Sequence, residues 1–250
     1  MRCIIVLPCF NEERNLKPLV QRIDNALKSR FPYEIIAVDD GSFDGTSKVL
    51  KELSVDFPIK ILKHPLNMGL GAALRTGLLA AIKSSSEKDL IITMDSDNTH
   101  DPKQILNMIE AAERADLIIG SRYVKNGGQI HVPSYRIFLS KTVNFLIAKF
   151  FNIPIKDSTS GFRCFKAYLL KKLHRNFGKN IIESNGFEAS FELLLKALRL
   201  GASTVELPIW LDYKQKLGDS KMNIFSTILN YLQLFLKLNK LNGLKHFSVF

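Results

Sequence analysis

Three cysteines in 250 residues (Cys3, Cys9 and Cys164) are too few and too scattered for a disulfide framework or a cysteine-rich zinc site. Cys3 and Cys9 fall in an apolar stretch and read as small core residues, so a reducing, intracellular compartment is expected. Long apolar runs are missing too. None approaches the roughly 20 residues that span a bilayer, and Met1–Leu7 meets Pro8 and then charged residues. Neither a spanning helix nor a signal peptide is expected. Repeats and low-complexity tracts are absent, and 46% apolar with 24% charged residues is ordinary globular composition. Acidic residues are scarce in one half only. Residues 1–125 carry 17 basic and 17 acidic side chains, whereas residues 126–250 carry 18 and 7, which places the whole net charge of +11 there. That asymmetry fits either a solvated basic face or a polyanionic partner: nucleic acid, an acidic membrane surface or a phosphorylated substrate.

What is present reads as an α/β chain. Short apolar runs at Cys3–Leu7, Glu34–Val38, Ile59–Leu62, Leu90–Met94 and Leu117–Ile119 look like buried parallel strands. Helical patterns lie between them, near Asn15–Ser29, Thr46–Leu53, Gly71–Ser84 and Pro102–Arg114. The alternation implies a mostly parallel, doubly wound sheet between helices, with ligands beyond the carboxyl ends of the strands. After a turn at Lys125–Gly128, helices are expected at Ser134–Phe151 and Phe187–Leu200 around a polar loop, Lys156–Arg163. Ser203–Leu211 reads as an edge strand broken at Pro208. A long amphipathic helix is expected over Met222–Lys240.

Polar motifs fall at the expected strand ends. PCFNEE after the first strand offers Asn11 and Glu12 to a base or ribose, or Asn11 as a helix cap. DDGSFDGT follows the second strand. Asp44 is a natural helix cap, but the adjacent carboxylates Asp39 and Asp40 need hydrogen-bond donors or a cation. NMGLGAALRTG, with Gly69, Gly71 and Arg75, lets backbone approach a bound group at a helix N-terminus. It is neither a Walker loop nor a dinucleotide fingerprint. In MDSDNTHDP, Asp95 and Asp97 lie two apart after an extended run and therefore face one side. Such a pair can hold one hard divalent cation, Mg²⁺ or Mn²⁺, across a diphosphate. In DSTSGFR, Arg163 offers a planar fork to phosphate and Asp157 is a candidate general base, although an ordinary polar loop explains the segment as well.

Together with GSRY (Gly120–Tyr123) and GDSK (Gly218–Lys221), these seven motifs in this order resemble family 2 glycosyltransferases of the GT-A fold. The resemblance is nearest the dolichol-phosphate mannose synthase and polyprenyl-phosphate glycosyltransferase branch and covers about residues 1–222. It implies a nucleotide-sugar half (1–125), an acceptor half (126–221) and a C-terminal amphipathic tail (222–250). It implies that Pro8, Phe10, Glu12 and Asp40 surround the donor nucleotide, and that Asp95 and Asp97 hold metal and diphosphate. It further implies that Arg163, Glu192, Ser220 and Lys221 face donor or acceptor phosphates. The chain departs from the branch at Thr99, where a Gln is usual, and at Gln215, flanked by Lys214 and Lys216, where an Arg is usual.

The expected activity is metal-dependent transfer of a sugar, with inversion, from a GDP- or UDP-sugar to a polyprenyl phosphate. An acceptor phosphate is already nucleophilic and needs no base, with Arg163, Lys221 and Lys214 or Lys216 to hold it. A glycan hydroxyl, the alternative acceptor, needs one, and Asp157 is the candidate. The basic half and the apolar helices fit peripheral attachment to the cytoplasmic face of an anionic membrane; packing of those helices on the core and a homodimer interface are the alternatives. A sugar-1-phosphate nucleotidyltransferase is disfavoured because PCFNEE lacks a Gly-rich, Arg- and Lys-containing signature. A nucleic-acid module is disfavoured because the charge is dispersed among Phe- and Leu-rich helices.

Overall fold

The computed structural model describes residues 1–218 and 227–235. The expected alternation appears as β1 (Cys3–Cys9), α1 (Glu13–Leu27), β2 (Tyr33–Asp39), α2 (Thr46–Asp56), β3 (Ile59–Lys63), α3 (Leu70–Ser84), β4 (Leu90–Thr93), α4 (Gln104–Ala111) and β5 (Leu117–Ser121). Next come β6 (Gly128–Ile130), α5 (Ser134–Phe151), β7 (Arg163–Lys166), α6 (Ala167–Phe177), α7 (Ala189–Arg199), β8 (Thr204–Pro208) and β9 (Trp210–Asp212). Residues 227–235 are helical. Seven strands form one sheet in the order β3-β2-β1-β4-β7-β5-β8, and β6 pairs with β9 in a small second sheet.

Alternation of side chains along the strands builds two cores. Ile4, Val6, Ile36, Val38 and Ile91 face α3, α6 and α7, whereas Cys3, Ile5, Leu7, Ile35, Ala37 and Ile92 face α1, α2 and α4. All seven residues of β1 are buried, which is why its sequence is continuously apolar rather than alternating. Each such Ile or Leu contributes roughly 1.5–3 kcal/mol by leaving water. Gly77 lets α3 lie close to the sheet, because a Cβ there would come within 2.4 Å of the Val6 side chain.

Three departures from expectation bear on the site. Pro102 and Lys103 form a turn, and α4 begins only at Gln104. Residues 164–186, unread in sequence, supply β7 and α6. β7 is antiparallel to both β4 and β5 and pairs Arg163 with Thr93, so the loop entering β7 arrives at the carboxyl end of β4. Finally, the described helix 227–235, within the expected tail, packs on the core. Tyr231 and Leu234 are buried in the first core, and Phe235 packs on Phe151 and Phe191. The break at Pro208 separates β8, at the sheet edge, from β9.

Candidate active site

The chain steps outward from β1 through β2 to β3, then returns to place β4 on the other side of β1. A crevice opens at such a reversal, beyond the strands' carboxyl ends. A cleft of about 340 Å³ lies there, lined among others by Pro8, Phe10, Glu12, Asp40, Gly69, Asp95 and Asp97.

The first two motifs clasp one another across this crevice. Asn11 donates its backbone N–H to Ser42 Oγ (3.0 Å) and accepts from Phe43 N–H (3.0 Å). Glu12 N–H donates to Thr46 Oγ1 (2.7 Å), and Gly45 N–H donates to Glu13 Oε2 (2.7 Å). Asn11 (φ 54°) therefore fastens the second motif instead of capping α1. The clasp brings Phe10 edge-on to Phe43, centroids 5.8 Å apart, with the Phe43 ring exposed. Asp39 is fully buried outside the cleft, where it accepts from Ser42 N–H (3.0 Å) and the Ser47 hydroxyl. Burial pushes its pKa up, but those bonds and Lys63 hold it below the usual carboxylate range.

Asp40 is a hub. It accepts from Met68 N–H (3.0 Å), Gly69 N–H (2.8 Å) and His64 Nδ1 (2.6 Å), and His64 Nε2 reaches Thr76 Oγ1 at 2.9 Å. The glycine segment meets protein backbone as well as the cleft. At Gly69 (φ 94°) a Cβ would come within 2.3 Å of the Asn185 carbonyl oxygen, and at Gly71 within 2.1 Å of that of Ser184. Gly71 N–H donates to Asn185 O (2.8 Å). Two expected ligand-binding residues hold this 182–185 segment from behind. Arg75 Nη1 donates to Ile182 O (2.9 Å), and Glu192 accepts from Glu183 N–H (2.9 Å), Ser184 N–H (2.8 Å) and Lys196 Nζ (2.6 Å).

Beyond Thr93 the chain bends, with Asn98 at φ 64°, and sets Asp95 and Asp97 into the cleft. The Ser96 hydroxyl points the other way, to Pro8 O (2.6 Å), tying β4 to β1. Asp97 accepts from Thr99 Oγ1 (2.6 Å) and from Lys216 Nζ (2.9 Å). Burial alone would raise its pKa. Lys216 foremost, then Thr99 and His100, hold it below the carboxylate range. Asp95 is more open, with His100 Nε2 3.4 Å from its Oδ2. The fit to a hard divalent cation follows from the donors: two cleft-facing carboxylates, one already carrying an ammonium. No cluster of three or more His, Cys, Asp or Glu suited to a metal occurs among the described residues, so ligand oxygens and water would complete the shell.

A second cavity, about 170 Å³, abuts the first and shares Asp95, Asp97, Arg136, Phe187, Tyr213 and Thr227 with it. Its other walls include Val132, Leu139, Val143 and Leu211, with Arg122, Ser140 and Thr159. The acid pair is thus a common wall of two chambers, the second lined by aliphatic side chains, hydroxyls and two arginines.

The sequence profile described as "Glycosyl transferase family 2" matches residues 4–174. This chain belongs to glycosyl transferase family 2. The family 2 transferase is 32% identical over 225 residues to a polyprenol monophosphomannose synthase of Mycolicibacterium smegmatis, covering 89% of this chain and 81% of the relative. It is 33% identical over 248 residues to a dolichol-phosphate mannosyltransferase of Pyrococcus furiosus, covering 97% of this chain but 65% of that longer protein. Glucosyl-3-phosphoglycerate synthase of Mycobacterium tuberculosis, solved with Mn²⁺, UDP and glucosyl-3-phosphoglycerate, superposes with a TM-score of 0.68. The match covers 100% of this chain and 82% of that one at 17% identity, a likeness of fold.

Several residues expected at the transferase's ligands are instead scaffold. Asp157 is fully buried and gripped by Arg122 through Nε (2.8 Å), Nη2 (2.8 Å) and the backbone N–H (2.9 Å). Burial opposes its charge, but Arg122 holds the carboxyl below its usual range, and Asp157 lines neither cavity. Arg163 is buried and donates to the carbonyls of Ser158 (2.7 Å) and Ser190. It lines neither cavity. Burial pushes its guanidinium pKa down to about 10. Lys214 is exposed; Lys216, two residues on, is the one that enters the cleft. Ser220 and Lys221 lie outside the described residues. Sequence reasoning gave no cleft position to Arg136, Tyr213 or Asn185. Only the helical phase of Arg136 on α5 was available as a signal.

Proposed function

We propose that the enzyme transfers a sugar, with inversion, from a nucleoside-diphosphate sugar to the phosphate of a polyprenyl phosphate. Mannose is the sugar to test first, because both relatives' names carry it. One observation carries the reading. Asp95 and Asp97 wall both chambers, yet the second chamber holds no other carboxylate among its described residues. A hydroxyl acceptor needs a base there, whereas a phosphate oxygen is already anionic.

In this reading Phe10, Glu12 and Asp40 receive the nucleoside, and the start of α3 faces the diphosphate. Asp95 and Asp97 would hold a Mg²⁺ or Mn²⁺, which when bound would supply positive charge to the nucleoside diphosphate leaving group. Lys216 leaves Asp97 and adds its charge on the donor side. Arg136, which lines both chambers, orients the acceptor phosphate, while Val132, Leu139 and Leu211 exclude water. No described helix is long and apolar enough to cross a membrane. The enzyme meets its lipid acceptor peripherally, at the cytoplasmic face, through α5.

A panel of GDP- and UDP-sugars with Mg²⁺ or Mn²⁺ and undecaprenyl or dolichyl phosphate tests this, scored by radiolabel entering the lipid phase with inverted anomeric configuration. Label appearing only as free sugar, or only on a glycan, overturns it.

A further inference from the structure

Helix α5 buries only Asn144, Ile147 and Phe151 of its 18 residues. Tyr135, Phe138, Thr142, Phe145 and Lys149 recur at intervals of three and four and so share one stripe. Of these, Phe138 is 74% and Phe145 63% exposed. Beside the stripe runs an open groove of about 650 Å³, floored by Val124, Ala148, Ile153, Pro154 and Ile155. Lys141 and Lys156 rim it, both exposed, and no acidic residue lines it. The carboxylate of Glu206 accepts from the backbone N–H of Lys156 and Asp157 (2.9 Å each). Arg122 lines both this groove and the acceptor chamber, but Asp157 holds its guanidinium.

An apolar trough whose two rim ammoniums make no ion pair among the described residues, with aromatic rings alongside, matches one chemistry: an anionic head on an apolar body. A polynucleotide would need a longer basic track with rings for bases to stack on. We infer that the groove seats an anionic phospholipid, its phosphate between Lys141 and Lys156 and its upper acyl carbons on the floor, while Phe138 and Phe145 enter the interface. This rests on the reading that the acceptor comes from a bilayer. It adds that a second, non-reacting lipid holds the acceptor chamber one side chain, Arg122, away from the membrane.

The test is flotation of the full chain with phosphatidylcholine vesicles, with and without roughly 30% phosphatidylglycerol. Three proteins are compared: wild type, Lys141→Glu/Lys156→Glu, and Lys17→Glu/Lys51→Glu, an equal charge change at exposed sites on α1 and α2. Wild type should float only on the anionic vesicles. The groove variant should bind at least about tenfold more weakly and the control by less than about threefold. Transfer to a short-chain polyprenyl phosphate in detergent should be the same in all three. Equal losses in the two variants, or flotation on pure phosphatidylcholine, overturn the groove. Normal transfer in detergent with no flotation of wild type overturns groove and membrane contact but leaves the reaction standing. No transfer by wild type in detergent overturns the reaction itself.

Discussion

In residues 1–125, Asp39, Asp40 and Glu12 lie against the strand ends with hydrogen-bond donors drawn from adjoining turns, and basic and acidic residues balance. Beyond residue 125 the cations are in excess, α5 leaves phenylalanines in solvent, and the buried charges brace loops: Asp157 on Arg122 of the first half, Arg163 on two carbonyls, Glu192 on the N–H groups of Glu183 and Ser184. One half is a rigid socket built from consecutive strand–helix units. The other is a frame whose pieces come from distant parts of the chain and whose outer surface stays apolar. On the proposed reading, the contrast is between a donor met by preset hydrogen bonds and a lipid met by shape and charge.

The largest test of that division lies on the shared wall. Asp97→Ala should lower transfer about a thousandfold or more with Tm nearly unchanged, because the loss falls on stabilisation of the departing diphosphate. If Asp97→Ala transferred normally, the wall would belong to neither chamber's chemistry. Arg163→Met should act the other way. Removing a buried cation that holds two carbonyls should reduce unfolding free energy by about 3 kcal/mol. Calorimetry should find nucleotide binding within about threefold of wild type, and a selective loss of acceptor affinity would return Arg163 to the ligand.

Asp157 separates the halves by pH. Its folded pKa lies below its unfolded value, so the ion pair's contribution is full above about pH 4 and drains as pH falls through the folded pKa. Asp157→Asn, which costs about 3 kcal/mol at neutral pH, should flatten that acid limb in urea titrations. The smallest effect is expected at His64. Without its bond, Asp40 keeps Met68 and Gly69, so His64→Ala should raise donor KM about tenfold with kcat within about threefold. His64→Gln should recover part of it, and a kcat loss alone would place His64 elsewhere.

Sequence legibility followed the same division. β1, β2, β4 and β5 could be read from their buried apolar runs, the edge strand β3 (IKILK) only from Ile59, Ile61 and Leu62, and the acid pair could be placed because it follows a strand in a parallel sheet. β7 could not, since four residues that begin with Arg and end with Lys carry no strand period. α6 had a readable pattern in Leu169, Leu170 and Leu173, ended by Gly178 at φ 57°. Arg75 was placed with the donor from the glycine-rich segment, and Glu192 and Arg163 with phosphate through the family resemblance, but the carbonyls and N–H groups they hold lie as far as 107 residues away. Lys216 reaches Asp97 across 119 positions, a distance that local spacing does not encode.

The reversed course of β7 has an evolutionary reach. A parallel strand in that slot would receive its incoming connection at the opposite rim. Because β7 runs backwards, the 157–162 connection is handed to the reaction side while both ends of the strand stay hydrogen-bonded to β4 and β5. Changes at Thr159 or Ser160 in that connection would alter a wall of the second chamber while leaving the pairings of β7 with β4 and β5 in place, so on the proposed reading one scaffold could be refitted for new recipients of the sugar.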